Sequence, residues 1–343
     1  MPARKVAVVL FNLGGPDSLA AVQPFLKNLF SDPAIITLPT PLRQILAQVI
    51  SSTRAKPSGA NYAMMGGASP LLAETRAQAV ALTTALQGRL ITRQARIFLA
   101  MRYWHPFTEE AARDVADYAP DEVILLPLYP QYSTTTTRSS VKAWKAAYKG
   151  PGRVREICCY PVQPNFIAAH AAGVATALKA AKGPVRVLFS AHGLPQKTID
   201  GGDPYQKQVE ATAAAVVAAL GGGFDHAVCY QSRVGRLVWT GPSTVEAIDA
   251  AVKAGRGVIV CPIAFVSEHV ETLIELDHEY REQAIALGCG EYIRVPTLSC
   301  DPLFIGALAD LVEAALASEA VVAPGEGWTF EACGPICPCR EAA

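Results

Sequence analysis

Eight runs rich in Val, Ile and Leu, nearly unbroken by polar residues, recur along the chain at 6–12, 96–103, 122–128, 153–159, 185–190, 226–231, 257–265 and 292–296. A strand with one solvated face alternates apolar and polar residues. Runs without alternation belong to strands buried on both faces of a parallel sheet. Between them, apolar residues recur at helical spacing over 18–30, 71–86, 108–118, 165–181, 205–220, 245–254 and 267–287. Parallel neighbours need a crossover, usually a helix, so the alternation predicts α/β layers with right-handed connections. Four strands precede the helix at 165–181 and four follow it. The pattern predicts two doubly wound domains of similar build with a ligand between them, and 343 residues suit two domains at roughly 150 residues each.

Ligands of open parallel sheets bind beyond the carboxyl ends of the strands. The residues there include Arg102-Tyr103-Trp104-His105, Tyr129-Pro130-Gln131-Tyr132, His192-Gly193, Gln231-Ser232-Arg233 and Glu268-His269-Val270-Glu271. Ordinary turns are dominated by Gly, Asn and Asp; these aromatic, Arg, His and Glu groups suit something large, flat and partly anionic. Thirty Lys and Arg balance thirty Asp and Glu, which argues against an electrostatic grip on nucleic acid. No apolar run approaches the ~18 residues of a membrane span. The apolar run 6–11 is too short for a signal sequence and leads into Gly14-Gly15-Pro16, not a cleavage site. Nine cysteines, an odd number in a chain too long to need staples, fit a reducing cytoplasm better than a disulfide framework.

Nucleotide chemistry is a weak reading, since neither a G-x-G-x-x-G nor a P-loop pattern occurs. His192, just past a buried strand, reads equally as a hydrogen-bonded turn residue and as a base or metal ligand. At about 100° per residue, Glu268, Glu271, Glu275 and Glu279 fall within roughly 80° on a straight helix. They form either a solvated acidic stripe or a row that conducts protons or passes a dication. The tail carries Cys333, Cys337 and Cys339 in a Gly/Pro-rich stretch. Three thiolates need a fourth ligand to complete a metal or iron–sulfur site, and Cys158 and Cys159 are the candidates. A frayed tail with free thiols is the alternative.

Taken together and in order, several segments resemble the ferrochelatases, which insert ferrous iron into protoporphyrin IX. They are Asn12-Leu13-Gly14-Gly15-Pro16, Gly66-Gly67-Ala68-Ser69-Pro70, Arg102-Tyr103, Leu128-Tyr129-Pro130-Gln131-Tyr132-Ser133, Leu188-Phe189-Ser190-Ala191-His192-Gly193-Leu194-Pro195, Gly202-Asp203-Pro204-Tyr205, Gln231-Ser232 with Trp239, and Pro262-Ile263-Ala264-Phe265 leading into His269-Val270-Glu271-Thr272-Leu273. The resemblance covers 6–311. It implies the chelatase fold: two Rossmann-like domains, each with a four-stranded parallel sheet flanked by helices, over 1–163 and 164–317, then a Cys-containing extension over 318–343. The porphyrin would lie in the cleft.

The resemblance also implies roles. His192 and Glu271 match the catalytic pair that handles protons and metal, and His269 and Glu275 match a polar path leading from them, on a helix that in the family has a π-type widening. Leu13, Arg102, Tyr103, Tyr129 and Trp239 match porphyrin-pocket positions; Arg54 and Tyr62 match a mobile lip. Cys158, Cys333, Cys337 and Cys339 are the proposed ligands of a [2Fe–2S] cluster, with Cys159 the substitute for Cys158. Three departures stand out. Leu13 cannot ligate a metal as Met or Tyr there can; Thr134 stands where animal members have a cluster cysteine; and the tail spacing C-x₃-C-x-C differs from theirs.

The implied substrates are Fe²⁺ and protoporphyrin IX. Coproporphyrin as substrate, cobalt insertion into a sirohydrochlorin-like ring, and a non-catalytic haem or iron–sulfur sensor are the alternatives. A sensor has no need of a base beside a carboxylate row. Residues 38–52 read either as an apolar lip on a bilayer surface or as a core-packing helix. The protein is expected in the cytoplasm with at most peripheral contact with the inner membrane; its state, monomer or homodimer, leaves no mark in the sequence.

Overall fold

All eight apolar runs are strands in the computed structural model, which describes residues 3–233, 235, 237–329 and 331–340. They are β1 (Arg4–Asn12), β2 (Arg93–Met101), β3 (Glu122–Pro127), β4 (Arg153–Ile157), β5 (Val185–His192), β6 (His226–Gln231), β7 (Gly257–Pro262) and β8 (Tyr292–Arg294). Every register among these eight is parallel. The unbroken apolar runs have their physical cause here, because Val6 to Phe11 of β1 and Val123 to Leu126 of β3 are completely buried on both faces of the sheet. Fully burying each such side chain contributes ~1.5–3 kcal/mol.

The described chain forms two compact units. The first comprises residues up to Tyr129, Ser133–Ile157 and Val312–Val321, and the second Pro130–Tyr132, Cys158–Leu311 and the residues from Val322. The first sheet runs β2-β1-β3-β4-β9 and the second β6-β5-β7-β8. The fifth strand, β9 (Val322–Ala323), departs from the four-stranded expectation. Two residues are too few for any periodicity, and their strand conformation is set by hydrogen bonds such as Glu156 N–H to Val321 O at 2.7 Å.

One face of the first sheet packs Val9, Phe11, Phe98 and Leu125 against Val115 of helix Thr108–Tyr118 and Trp144 of helix Thr137–Ala147. In the second, Leu188 and Val260 pack against Ile248 of helix Thr244–Lys253 and against Leu276 and Tyr280. Both sheets start at an inner strand, step to one edge and cross back. That order puts a switch point between β1 and β3 and another between β5 and β7, where parallel sheets open a crevice at their carboxyl ends.

Helices Val22–Ser31, Leu71–Gln87, Thr108–Tyr118, Pro164–Ala180, Tyr205–Ala219 and Thr244–Lys253 lie close to the expected positions. Thr137–Ala147 and Pro302–Ala317 are additional. Residues 38–52 enter the helix Thr40–Met64, which carries Pro57 in its interior. Leu42, Ile45, Leu46 and Val49, at 3–4-residue spacing, are 57%, 65%, 36% and 54% exposed, so the large apolar side chains face outward while the small Ala47 and Ser51 are buried. The region 267–287 departs from a straight α-helix. It is a π-helix over Glu271–Glu279 continued by the α-helix Tyr280–Ala286, with the Tyr280 N–H donating to Glu275 O five residues back. No helix among the described residues is long and apolar enough to cross a membrane.

Candidate active site

His192 is the last residue of β5, in register with Gln231 of β6. It therefore stands at the carboxyl edge of an inner strand, beside the β5/β7 switch point. Gly193 follows because a Cβ there would lie 3.0 Å from Gln231 O and 3.5 Å from Trp239 Cε3. Trp239 thus lies against the turn that leaves the histidine, joined to it by the Pro195–Trp239 bridge. Tyr205 is buried, and burial, with the charge of Glu271 adding, pushes its phenol well up.

The π-helix carries the acidic partners. Glu271 Oε2 lies 2.9 Å from His192 Nδ1 and 3.9 Å from His269 Nε2. His269 is oriented by its Nδ1, 3.1 Å from Ser267 O. Glu275 accepts from Gln231 Nε2 at 2.9 Å, Ser232 N at 2.9 Å, Ser232 Oγ at 2.5 Å and Tyr280 Oη at 2.7 Å. Gln231 uses both ends of its amide here: Nε2 also donates to Glu271 O at 3.1 Å, and Oε1 accepts from Ser190 Oγ at 2.9 Å. Ser232 reaches Glu275 from a left-handed backbone, φ 64°, a conformation costly for a non-glycine residue and common at functional sites.

The expected four-glutamate stripe is therefore divided. Glu271 and Glu275 face the histidine, Glu268 pairs with Arg294 at 2.8 Å, and Glu279 is exposed. The straight-helix geometry fails because the segment is π-helical.

Burial by itself lowers the His192 pKa, but the Glu271 charge and hydrogen bond, with Glu275 adding, bring it above the ordinary imidazole value. Burial likewise works to raise Glu271, and the His192 charge and hydrogen bond with His269 reverse this and hold it far below the carboxylate range. Glu275 is raised by burial and by the Glu271 charge, against the pull of its hydrogen-bond donors. The His192 side chain keeps 37% of its surface exposed. With Nδ1 engaged by Glu271, Nε2 is the nitrogen left for a ligand. A protonatable ring, an ionised carboxylate and a second, more basic carboxylate can together accept protons and attract a cation.

The cysteines form a second centre. The sulfurs of Cys158, Cys333, Cys337 and Cys339 lie within 4.8 Å of one another, all buried, and could hold a metal. Cys159 Sγ is 3.7 Å from Cys158 Sγ and 3.8 Å from Cys333 Sγ. Cys158 N–H donates to Ala323 O and Gly325 N–H to Cys159 O. Gly325 is required at that position, since a Cβ would meet Tyr160 Cβ at 2.7 Å. Hydrogen bonds from Cys158 and Cys159 lower the Cys333 and Cys337 thiols, while hydrogen bonding to its neighbouring thiols raises Cys158.

The remaining residues lie in the first unit. Leu13 follows β1, half-buried, its O accepting from Tyr103 N. Tyr103 is 1% exposed and its hydroxyl donates to Asp32 Oδ2 at 2.9 Å, so it is a packing residue. Asp32 also takes Arg102 Nη2 at 2.7 Å and Ser139 Oγ at 2.5 Å. Tyr129 is half-buried just after β3. Arg54 and Tyr62 share helix Thr40–Met64, Arg54 over the Phe30 ring at 6.0 Å and Tyr62 buried. Gln231, Ser232, Tyr205 and Tyr280 were absent from the expected site. Gln231-Ser232 and Tyr205 sit within motifs named above, but Tyr280 gave no signal, being five residues from Glu275.

Replacing Glu271 by Gln removes the charge that raises His192. The imidazole should then titrate at lower pH than in the wild type, as followed by NMR of the ring protons. The ion pair adds stability from His192 below its unfolded pKa, lost as pH rises through the raised folded value. It adds stability from Glu271 above its unfolded pKa, lost as pH falls through the depressed one. Stability lost in Glu271→Gln should therefore be largest between about pH 4.3 and 6.5. An unmoved His192 titration would show that Glu271 does not set it.

A family model of ferrochelatase matches residues 5–316. The chain is 55% identical to the ferrochelatase of Caulobacter vibrioides (strain NA1000 / CB15N), covering 99% of both chains, and 55% identical to that of Phenylobacterium zucineum (strain HLK1), covering 98% of each. Among solved structures, SirB from Bacillus subtilis with Fe³⁺ aligns over 92% of this chain and 96% of its own, with a TM-score of 0.54 at 10% identity, which supports the fold alone. With its parallel sheets, its histidine–carboxylate centre and this similarity over nearly its whole length, the chain belongs to the ferrochelatase family, enzymes of metal chelation in haem biosynthesis.

Proposed function

We propose that the protein inserts Fe²⁺ into protoporphyrin IX, releasing two protons, with His192 and Glu271 as the pair that handles metal and protons. The observation that carries this reading is the 2.9 Å His192–Glu271 pair, backed by Glu275, at the end of an inner strand. Two pyrrole N–H protons must leave as the dication enters. His192 accepts one at Nε2, and Glu271 stabilises the resulting imidazolium. Glu275, more basic than an ordinary carboxylate, is the next carrier, and His269 flanks the path. Trp239, together with Leu13, Arg54, Tyr62, Arg102 and Tyr129, is assigned to porphyrin binding.

Anaerobic loss of protoporphyrin fluorescence with Fe²⁺ tests the reading. Wild type should turn over and His192→Ala should lose at least ~100-fold. Tight porphyrin binding without metallation by the wild type would overturn it. Faster metallation of coproporphyrin would reassign the substrate.

Cys158, Cys333, Cys337 and Cys339 are proposed to hold a [2Fe–2S] cluster, which their four buried, mutually close sulfurs fit. When bound, the cluster supplies a one-electron centre and a cross-link between the end of β4 and the tail. Anaerobically purified protein should show charge-transfer absorption that Cys337→Ser abolishes. A colourless protein carrying zinc would replace the cluster with a four-thiolate zinc site.

The exposed apolar face of helix Thr40–Met64 supports peripheral contact with the inner membrane from the cytoplasm. The protein should divide between soluble and salt-washed membrane fractions; recovery in detergent extracts alone would contradict this.

A further inference from the structure

The π-helix that presents Glu271 and Glu275 has to be held in its widened form. In an α-helix, residues five apart are about 140° apart around the axis and do not meet, whereas those three or four apart do. The 2.7 Å bond from Tyr280 Oη to Glu275 Oε1 spans five residues, so it exists only because this segment is π-helical. Such helices are rare and single-turn as a rule, so nine residues of π-helix call for outside support.

That support comes from β8, a strand of only three residues. β8 is fixed to β7, with Tyr292 opposite Val258 and Arg294 opposite Val260. Tyr292 Oη donates to Leu276 O, inside the π-helix, at 2.7 Å. The Arg294 guanidinium forks: Nη1 meets Glu268 Oε1 at 2.8 Å, and Nη2 meets Asp277 Oδ2 at 2.7 Å. Glu268 lies three residues before the π-helix and Asp277 near its end, so one planar group spans nine residues of chain. Glu268 is held in turn by Thr297 N–H at 3.0 Å and Thr272 Oγ–H at 2.6 Å. Arg281 adds a bond to Tyr292 O at 3.0 Å and one to Asp277 O at 3.0 Å. Arg294 Nε is buried with no hydrogen-bond partner among the described residues, so the side chain sits where the two carboxylates place it, not where all its donors are satisfied. Its side chain is 10% exposed and that of Glu268 17%, which shields the pair from solvent screening.

We propose that Arg294 and Tyr292 are positioning residues that fix the π register and so hold Glu271 and Glu275 against His192. Neither reaches the reacting atoms. The inference rests on the catalytic reading of His192 given above.

Steady-state metallation by Arg294→Gln, Arg294→Lys and Tyr292→Phe tests it, with porphyrin and Fe²⁺ varied separately. In Arg294→Gln, kcat should fall ~10–100-fold, with the porphyrin KM within about twofold of wild type, the mark of a group acting in the chemical step and not in binding. Arg294→Lys keeps the charge and lacks the fork, so it should recover only part of that loss; full recovery would overturn the proposal. Tyr292→Phe removes one oxygen and should fold, and it carries the test if Arg294→Gln does not. Its kcat should fall at unchanged KM. Unchanged kcat in the folded variants, or kcat and KM moving together, would overturn the proposal. His192→Ala separates the two readings. If it keeps full turnover, the catalytic reading fails; if it is inactive while the β8 variants match wild type, only the positioning role fails.

Discussion

Two carboxylates and one imidazole share a half-buried corner of the second unit, and their charges cannot balance. With His192 protonated, Glu271 and Glu275 leave one negative charge over; with it neutral, they leave two. Burying such an excess is costly unless a cation or protons compensate. The protein meets part of the cost with donors, surrounding Glu275 with Gln231, Ser232 and Tyr280. None of these donors supplies a charge. The remaining deficit is what a cation or a proton would fill.

Much of the second unit is explained by that deficit. The order β6-β5-β7-β8 puts an inner strand's end next to the crevice, so His192 needs no loop to reach it. Glycine at 193 lets the chain turn away beneath Trp239 without displacing the imidazole. Ser232 accepts a left-handed backbone to bring two donors to one carboxylate. The π-helix brings Tyr280 under Glu275, five residues back. Each is a local departure from ordinary geometry, and each touches a member of the charged set or the turn that carries it.

These departures are also what the sequence did not disclose. The strands were legible because burial on both faces imposes unbroken apolar runs, and His226–Gln231 and Thr108–Tyr118 match their expected bounds. His192, Glu271 and the cysteines were legible as residue types whose chemistry is specific. Tyr280 was not, because five-residue spacing is silent until the helix is known to be widened. β9 was not, because two residues placed by hydrogen bonds leave no periodicity. Tyr103, expected at a porphyrin wall, shows the limit of a motif: the sequence placed it at a strand end, but only the hydrogen bond to Asp32 shows its hydroxyl turned inward.

Asp32 in the first unit and Glu271 in the second are carboxylates matched in opposite ways. In the first, Asp32 is 4% exposed and meets Arg102, Tyr103 and Ser139 at once. A full positive charge and two hydroxyl donors leave it no spare capacity, so it serves to fix Arg102 and Tyr103 in place. In the second, Glu271 has an imidazole whose charge comes and goes near neutral pH, and the groups that donate to Glu275 among the described residues include no cation. A carboxylate matched by arginine is finished as chemistry, because guanidinium keeps its proton. A carboxylate matched by histidine stays open to exchange, since the proton it shares can leave and a metal can take its place. The fold thus holds closed ion pairs, Asp32 with Arg102 and Glu268 with Arg294, and an open one at His192 and Glu271, and metal chelation needs the open kind.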